Sequence, residues 1–517
     1  MTGLDWAVMG AYGAVVLAIG WAAGRGHQSA GDFFLGRRRI PAWAVFFSMV
    51  ATELSAATFI GVPHAAYGGD WSYLQLAFGA LAAKLTLAAF VIPHYHRLGL
   101  VTVYGLLGRS FGPRSRLCSA WFFLAGRVLA SGVRLFIAGL AFAAVTGFSV
   151  PWAIVLAGTV ACAYTFAGGI RAVIWTDALQ GIVFVVAAAA TLILVGGRLD
   201  GGLAAALHAA GEAGKTEVFH LPAIFQAGPG AGETLGALGR LWEGFRTNYL
   251  QSDASLALSV VGAFFLVLAT HGTDQDMVQR LLTTRDGRSG GRALWITGVT
   301  NFPLTLLFLL MGTCLWAFYQ GPDRAFDGSY GIADSKRIFP LFVLHEMPAG
   351  LRGFVFAGLF AAAMSSLDSA VNALATTFCV DIAGRRRLDS PPSMTFVKIS
   401  TLIFSVLVVG AALLFVPYER IASAGTEGFN LVKLALSAMM IVYGGLLGAF
   451  LVALLTPGRG TDRSVLTGMI GGGLTGLLLF LQPNYLDEVA VNYLWWIIIG
   501  TLVSFALGAA VPRKRGT

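Results

Sequence analysis

Charge is scarce in this chain of 517 residues. Only 12% of them are Asp, Glu, Lys or Arg, against 56% apolar or aromatic, and the mean hydropathy is +0.74. A soluble globule needs more charge than this on its surface, so the composition points to an all-α polytopic membrane protein. Acidic residues are the scarcer sign: 26 Asp and Glu against 35 Lys and Arg, for a net charge of +9. In a membrane protein such an excess reflects basic cytoplasmic loops, so no nucleic-acid partner is expected. Cysteines number four, Cys118, Cys162, Cys314 and Cys379, all in or beside apolar stretches and none in a CxxC pair. Neither a disulfide framework nor a cysteine metal site is indicated. There is no HExxH, no Walker sequence and no convincing nucleophile–base arrangement, which argues against a membrane enzyme. The first apolar stretch lacks a basic n-region and a small-residue cleavage site, so it reads as a retained helix. No soluble domain is expected at either end, and no obligate protein partner is evident.

What the chain has in abundance is long apolar runs. With roughly 20 residues as the minimum span, about thirteen crossings are expected. They fall near 3–24, 41–67, 71–96, 117–146, 151–168, 172–197, 254–279, 291–319, 353–380, 394–416, 430–455, 464–482 and 491–511. Arginines crowd alternate short loops, as at Arg37, Arg38 and Arg39, then Arg109, Arg114 and Arg116, then Arg385, Arg386 and Arg387. The positive-inside rule then puts the N-terminus outside and the C-terminus in the cytoplasm, in the lipid bilayer of a cell inner or plasma membrane. The connection 198–253 falls outside and mixes Gly and Pro with amphipathic pieces such as LWEGFRTNYL.

Within the run GLFAAAMSSLDSAVNALATTFCVDI, residues 358–382, small polar groups recur at helical spacing. Ser365, Asp368, Ser369 and Asn372 fall at i, i+3, i+4 and i+7 and share one face. Unmet in lipid, each would cost roughly a few kcal/mol. The stripe must face protein, water or an ion, and hard oxygen ligands suit a small hard cation.

Two other segments are interrupted. Ser48, Thr52, Glu53, Ser55 and Thr58 break up the second, followed by Gly61 and Pro63; Thr270, His271, Gly272, Thr273 and Asp274 break up the seventh. Breaks five segments apart suggest two repeats of five. In transporters such breaks free backbone carbonyls and half-helix ends for ions and substrates.

Three charges within the spans are informative. Arg127 and Arg134 lie seven apart in GRVLASGVRLF and share a helix face, while Glu53 sits near the middle of its segment. A buried guanidinium needs a partner, and its fork matches a carboxylate. Two readings stand: an arginine receives an acidic substrate, or Glu53 neutralises one of them. Asp177, in WTDALQ, is an intramembrane carboxylate and a functional candidate by default; pairing with Arg171 is the structural alternative.

The segments GGIRAVIWTDALQGIVF (168–184), GTDQDMVQRLL (272–282) and AAAMSSLDSAVNALAT (361–376), with DFFLGRRRIPAWAV (32–45) and ATELSAATFIGVP (51–63), occur in order. Together they resemble the sodium:solute symporter family, which includes sodium–glucose, proline and sialic acid symporters. The resemblance implies a leucine-transporter-type fold with two inverted five-helix repeats, alternating access and Na+-driven uptake. It divides the chain into a first helix and loop (1–40), a first repeat (41–197), an extracellular connection (198–253), a second repeat (254–455) and two C-terminal helices with a tail (456–517). It also implies a main sodium site from the carbonyls of Ala51, Leu54 and Ala362 and the hydroxyls of Ser365 and Ser366. In some members a second sodium is held by residues matching Asp177 and Ser369. By the same resemblance Ser55, Thr58, Tyr73, Gln75, Thr270 and His271 are substrate candidates, joined by Glu53, Arg127 and Arg134 for an acidic solute. Thr270 and His271 depart from the Tyr-Trp pair of sugar-transporting members, which weakens a glucose- or galactose-like solute.

The expected function is therefore sodium-coupled symport of a small organic solute, a sugar, a sugar acid such as a sialic acid, or another carboxylate. A proton-coupled symporter of the same fold and a transporter-like membrane sensor are the alternatives; net sodium-dependent accumulation separates them.

Overall fold

The computed structural model describes the chain except residues 26–28, 55, 221–236, 252–254, 321–337, 385–391, 418–430, 483–490 and 514–517. Ser55 and the arginines at 385–387 therefore lie outside the described residues. Regular structure among the described residues is helical, and an isolated bridge pairs Arg459 with Pro512.

The helix α1, Gly3–Gly24, opens on a capping box in which Thr2 and Asp5 satisfy each other's backbone N–H groups. Two of the four orphan donors of the helix start are thereby met. Asp5 also accepts from the Gly350 and Gly353 N–H groups and from Arg352, fixing α1 against a helix far along the chain. The second span is split into α2, Ala42–Glu53, and α3, Ala56–Gly68. Then come α4, Gln75–Thr86, which runs on through a π-turn to Arg97, and α5, Pro113–Thr146.

The next helix, α6, Val150–Gly197, has 48 residues. At 1.5 Å per residue it is about 70 Å long, more than twice the hydrocarbon core. Its break is at Gly169, with φ 51° and ψ −149°, where a Cβ would lie 2.7 Å from the Phe33 carbonyl oxygen. Only glycine tolerates that combination of left-handed φ and close approach. The break falls between the expected segments 151–168 and 172–197.

The seventh segment is also split, into α7, Leu256–Gly272, and α8, Gln275–Leu282. The remaining major helices are α9, Gly287–Tyr319; α10, Leu351–Thr377; α11, Met394–Leu414; α12, Leu431–Leu455; α13, Asp462–Phe480; and α14, Tyr493–Ala509. Eight described helices are long and apolar enough to cross a bilayer, and ten if each of two bent pairs is one span. The expected figure of about thirteen is reached only by also counting the second half of α6 and the shorter apolar parts of α12 and α14.

The enclosed centre is α10. Every residue from Ala361 to Thr377 is buried, with α6, α5 and α1 packed around it. A helix buried on all sides can carry polar groups on any face, provided that protein meets them. Phe59 of α3 packs on Phe184, Phe308 and Phe339 with ring centroids 4.6, 5.6 and 4.8 Å away.

Candidate functional site

The first helix break places backbone oxygens opposite the hydroxyls of α10. Helix α2 stops at Glu53; Leu54 has φ −82° and ψ 90°, and the two halves meet at a 56° bend. Carbonyls in the last turn before a break lose their helical donors. Ser365 Oγ lies 3.0 Å from the Ala51 carbonyl oxygen and 3.4 Å from that of Ala362. Ser366 Oγ donates to the same Ala362 carbonyl at 3.3 Å. Ala51, Ala362, Ser365 and Ser366 are thus brought together, and Leu54 lies buried on the break itself. Two carbonyls and two hydroxyls, neutral and hard, form a donor set that fits a small cation.

Asp177 lies deeper, on α6. It does not pair with Arg171, the partner considered from sequence; its Oδ2 accepts from Arg280 Nη2 at 3.1 Å and from Ser48 Oγ at 2.7 Å. Arg280 also donates to Ser48, Thr52 and Asp276. Asp276 accepts from Arg127, which reaches Asp274 at 3.1 Å, and Asp274 accepts from the Tyr443 hydroxyl. The result is a buried ladder of alternating charge from α6 through α8 to α5 and α12. Ser369 does not meet Asp177: its hydroxyl donates to the Ser365 carbonyl at 2.7 Å. Asp368 accepts from Tyr164 at 2.6 Å and from the Ser369 N–H. Asp177 Oδ1 and the Asn372 amide are buried with no hydrogen-bond partner among the described residues.

Glu53 neutralises neither arginine, contrary to one sequence reading. Its Oε2 accepts from Lys84 Nζ at 2.6 Å, and its Oε1 lies 3.0 Å from His271 Nε2. His271 Nδ1 is 2.9 Å from the Thr270 hydroxyl. The two breaks are thereby linked directly, with Lys84 of α4 on the other oxygen of Glu53. Lys84 was missed from sequence although the signal was present: it is a single lysine inside LAFGALAAKLTLAAF, and an intramembrane charge is a functional candidate.

The arginines of α5 part company. Arg127 is held by two carboxylates, whereas Arg134, one heptad on, has Met439 Sδ at 3.6 Å and no acidic partner among the described residues. Thr58 lies partly buried near the start of α3. Tyr73, in the turn before α4, is 41% exposed, and Gln75, the first residue of α4, is buried. Nine residues, about 13 Å of helix, separate Gln75 from Lys84, so these two are not part of the Glu53 cluster.

Outside the spans, Asp70 accepts from the Ser72 N–H at 2.8 Å and lies 2.7 Å from His220 Nε2. Burial opposes ionisation of Asp70, but these bonds outweigh it and hold its carboxyl below the usual carboxylate range.

The model of the sodium:solute symporter family matches residues 33–472. The sodium/sialic acid symporter NanT of Aliivibrio fischeri is 28% identical over 98% of this chain and 92% of its own length. SiaT of Proteus mirabilis, also a sodium/sialic acid symporter, is 25% identical over 96% and 92%. Human sodium-coupled monocarboxylate transporter 1 is 27% identical over 87% and 68%. Among solved structures, a Na+-coupled sialic acid symporter in a substrate-bound outward-open state overlays all of both chains with a TM-score of 0.82 and 24% identity. Mhp1, a nucleobase-cation-symport-1 family transporter, covers 94% of each chain with a TM-score of 0.55 and 14% identity.

Proposed function

The chain belongs to the sodium:solute symporter family, and on that premise we propose that it couples inward sodium flow to uptake of a small anionic solute. The fold is of the leucine-transporter type, the protein is an integral membrane protein, and its activity is sodium-coupled symport of a small solute.

Sodium is cargo here, held by the carbonyls of Ala51, Leu54 and Ala362 and the hydroxyls of Ser365 and Ser366. The ion joins α2 to α10 and so favours the conformation in which both face it. A second sodium near Asp177 and Ser369 requires Ser369 to turn from the Ser365 carbonyl. The solute sits between the two breaks, among Ser55, Thr58, Thr270 and His271, with Tyr73 and Gln75 toward the outer side. Ion and solute must bind interdependently, because a ligand with equal affinity for both states moves nothing uphill. With the N-terminus outside and an inside-negative plasma membrane, each charge gains about 2.3 kcal/mol per 100 mV.

The observation that carries the anionic solute is Arg134. A guanidinium enclosed in the bundle with a thioether as its described polar neighbour retains donors for a carboxylate. A sialic acid or a monocarboxylate has that group, as the names of the relatives suggest. Arg127 is already occupied and serves structure.

The test is uptake into proteoliposomes under an inward sodium gradient, with labelled sialic acid, lactate, glucose and proline. Sodium-dependent accumulation of an acid, lost in Arg134→Ala with normal yield of folded protein, is expected. Accumulation of glucose or proline instead, or full acid uptake by the variant, contradicts the anionic reading.

A further inference from the structure

Several arginines at the basic end of the helix bundle are answered by the protein itself. Arg38 donates to the Leu100 carbonyl, Arg109 to that of Leu98 and Arg459 to that of Ala509, while Arg116 pairs with Asp381 and Arg285 with Asp286. Three others differ. Arg97, Arg288 and Arg292 are exposed and make no hydrogen bond or ion pair with any described residue. Arg97 ends the run of α4, and the other two lie in the first turns of α9.

These two helices meet along a seam of glycines. A Cβ at Gly287 would lie 2.6 Å from Pro93 Cα and 3.3 Å from His96 Cβ; one at Gly291, 2.7 Å from the Ala88 carbonyl oxygen; one at Gly298, 2.9 Å from Leu81 Cδ1 and 3.3 Å from Lys84 Cδ. The numbers rise on α9 as they fall on α4, so the helices are antiparallel. One residue further along either helix turns about 100° away from the seam. Viewed from the basic end, that step is clockwise on α9, which recedes, and anticlockwise on α4, which approaches. On both helices it leads to the same side. Arg288, Arg292 and Val299 follow Gly287, Gly291 and Gly298 there, and Arg97 and Leu85 follow His96 and Lys84. Trp295, one residue on from the buried Leu294, completes the stripe. Trp295 is 41% exposed, and Val299 and Leu85 are each 47% exposed. The stripe is thus basic at its end and apolar beyond, with Trp295 about 10 Å of helix from Arg288. The acid that precedes it, Asp286, caps α9 at the Ser289 N–H and pairs with Arg285.

We propose that this seam binds an anionic phospholipid of the cytoplasmic leaflet, its phosphate held by Arg97, Arg288 and Arg292 and an acyl chain laid along Trp295, Val299 and Leu85. A guanidinium is a planar fork of donors that matches phosphate oxygens. Three of them with no carboxylate to cancel them leave a local positive charge, which a leaflet of anionic lipid complements. An exposed tryptophan next to them suits the depth at which headgroups give way to tails. A soluble phosphate would meet the charge and leave the apolar stripe unused; a phospholipid uses both. Because the seam belongs to α4 and α9 together, the bound lipid joins the inner ends of the two helices. The site shares no residue with the sodium ligands or the solute candidates.

Native mass spectrometry of the full-length protein in detergent tests this, with dioleoylphosphatidylglycerol or dioleoylphosphatidylcholine titrated in. The seam variant carries Arg97→Gln, Arg288→Gln and Arg292→Gln. A control carries Arg114→Gln, Arg463→Gln and Arg513→Gln, which removes the same charge from other exposed positions at the basic end. The wild type and the control are expected to prefer phosphatidylglycerol. Each seam arginine removed should weaken its binding about fivefold, so the seam variant loses the preference. The single variant Arg292→Gln shows part of that loss, and carries the test if the triple variant folds poorly. Glycerol phosphate at the lipid's concentration should leave the lipid bound. Equal binding of the two lipids by the wild type, an undiminished preference in the seam variants, or an equal loss in the control overturns the site. Displacement by glycerol phosphate makes it a site for a soluble anion and overturns the lipid assignment.

Discussion

The two helix breaks solve the same problem in opposite ways. Between α2 and α3 the interruption is neutral on its α10 side: backbone carbonyls meet the hydroxyls of Ser365 and Ser366. Between α7 and α8 it is charged: Asp274 and Asp276 hold Arg127, and Asp276 shares Arg280 with Asp177. A neutral oxygen set can exchange its internal hydrogen bonds for a cation at small cost. A buried ion ladder cannot be opened so cheaply, because each separated charge loses both its partner and its solvent. The first break is therefore suited to reversible ion binding and the second to holding helices in register. Arg127 and Arg134 repeat the contrast on one helix: the same residue type seven positions apart, one ion-paired with two carboxylates and one with no ion pair among the described residues.

The sharpest way to break this comparison is to remove a rung. Arg127→Ala leaves Asp274 and Asp276 short of a buried partner, and a loss of about 3–5 kcal/mol is expected. A thermal-stability assay of the detergent-solubilised protein should show a large fall in midpoint and in folded yield. Arg134→Ala strands no acid, so its midpoint should stay near the wild type while acid uptake is lost; the pair of variants separates structure from function on one helix.

The sequence foretold these parts unevenly. The α10 stripe was legible because four polar residues at helical spacing inside an apolar run admit few explanations, and both breaks were legible from polar residues interrupting spans. The partners were not. Asp177 meets Arg280 across 103 positions and Asp274 meets Tyr443 across 169, and only the tertiary arrangement brings such residues together. The candidates weighed from sequence, Arg171 for Asp177 and the arginines for Glu53, lost to Arg280 and to Lys84 and His271, which other helices bring within hydrogen-bond distance. Ser369 illustrates a different limit: a helical hydroxyl can satisfy itself on the carbonyl one turn back, and here it does.

The smallest expected effect lies outside both breaks, at the Asp70–His220 contact. The carboxyl of Asp70 is held below its unfolded value of about 3.9. Its stabilising contribution is therefore fully present above that pH and lost as pH falls through the lower folded value. Asp70→Asn should leave sodium-driven uptake at pH 7 little changed and flatten only the acid end of a stability-versus-pH curve.

The central claim is that the neutral break is where sodium acts, and the sodium dependence of solute uptake tests it most directly. Uptake by wild type and Ser365→Ala is compared in proteoliposomes at constant pH and potential across a range of sodium concentrations. Losing one oxygen ligand worth about 1–1.5 kcal/mol should raise the half-saturating sodium concentration roughly tenfold. An unchanged sodium dependence in Ser365→Ala would contradict the assignment and move the ion away from the first break.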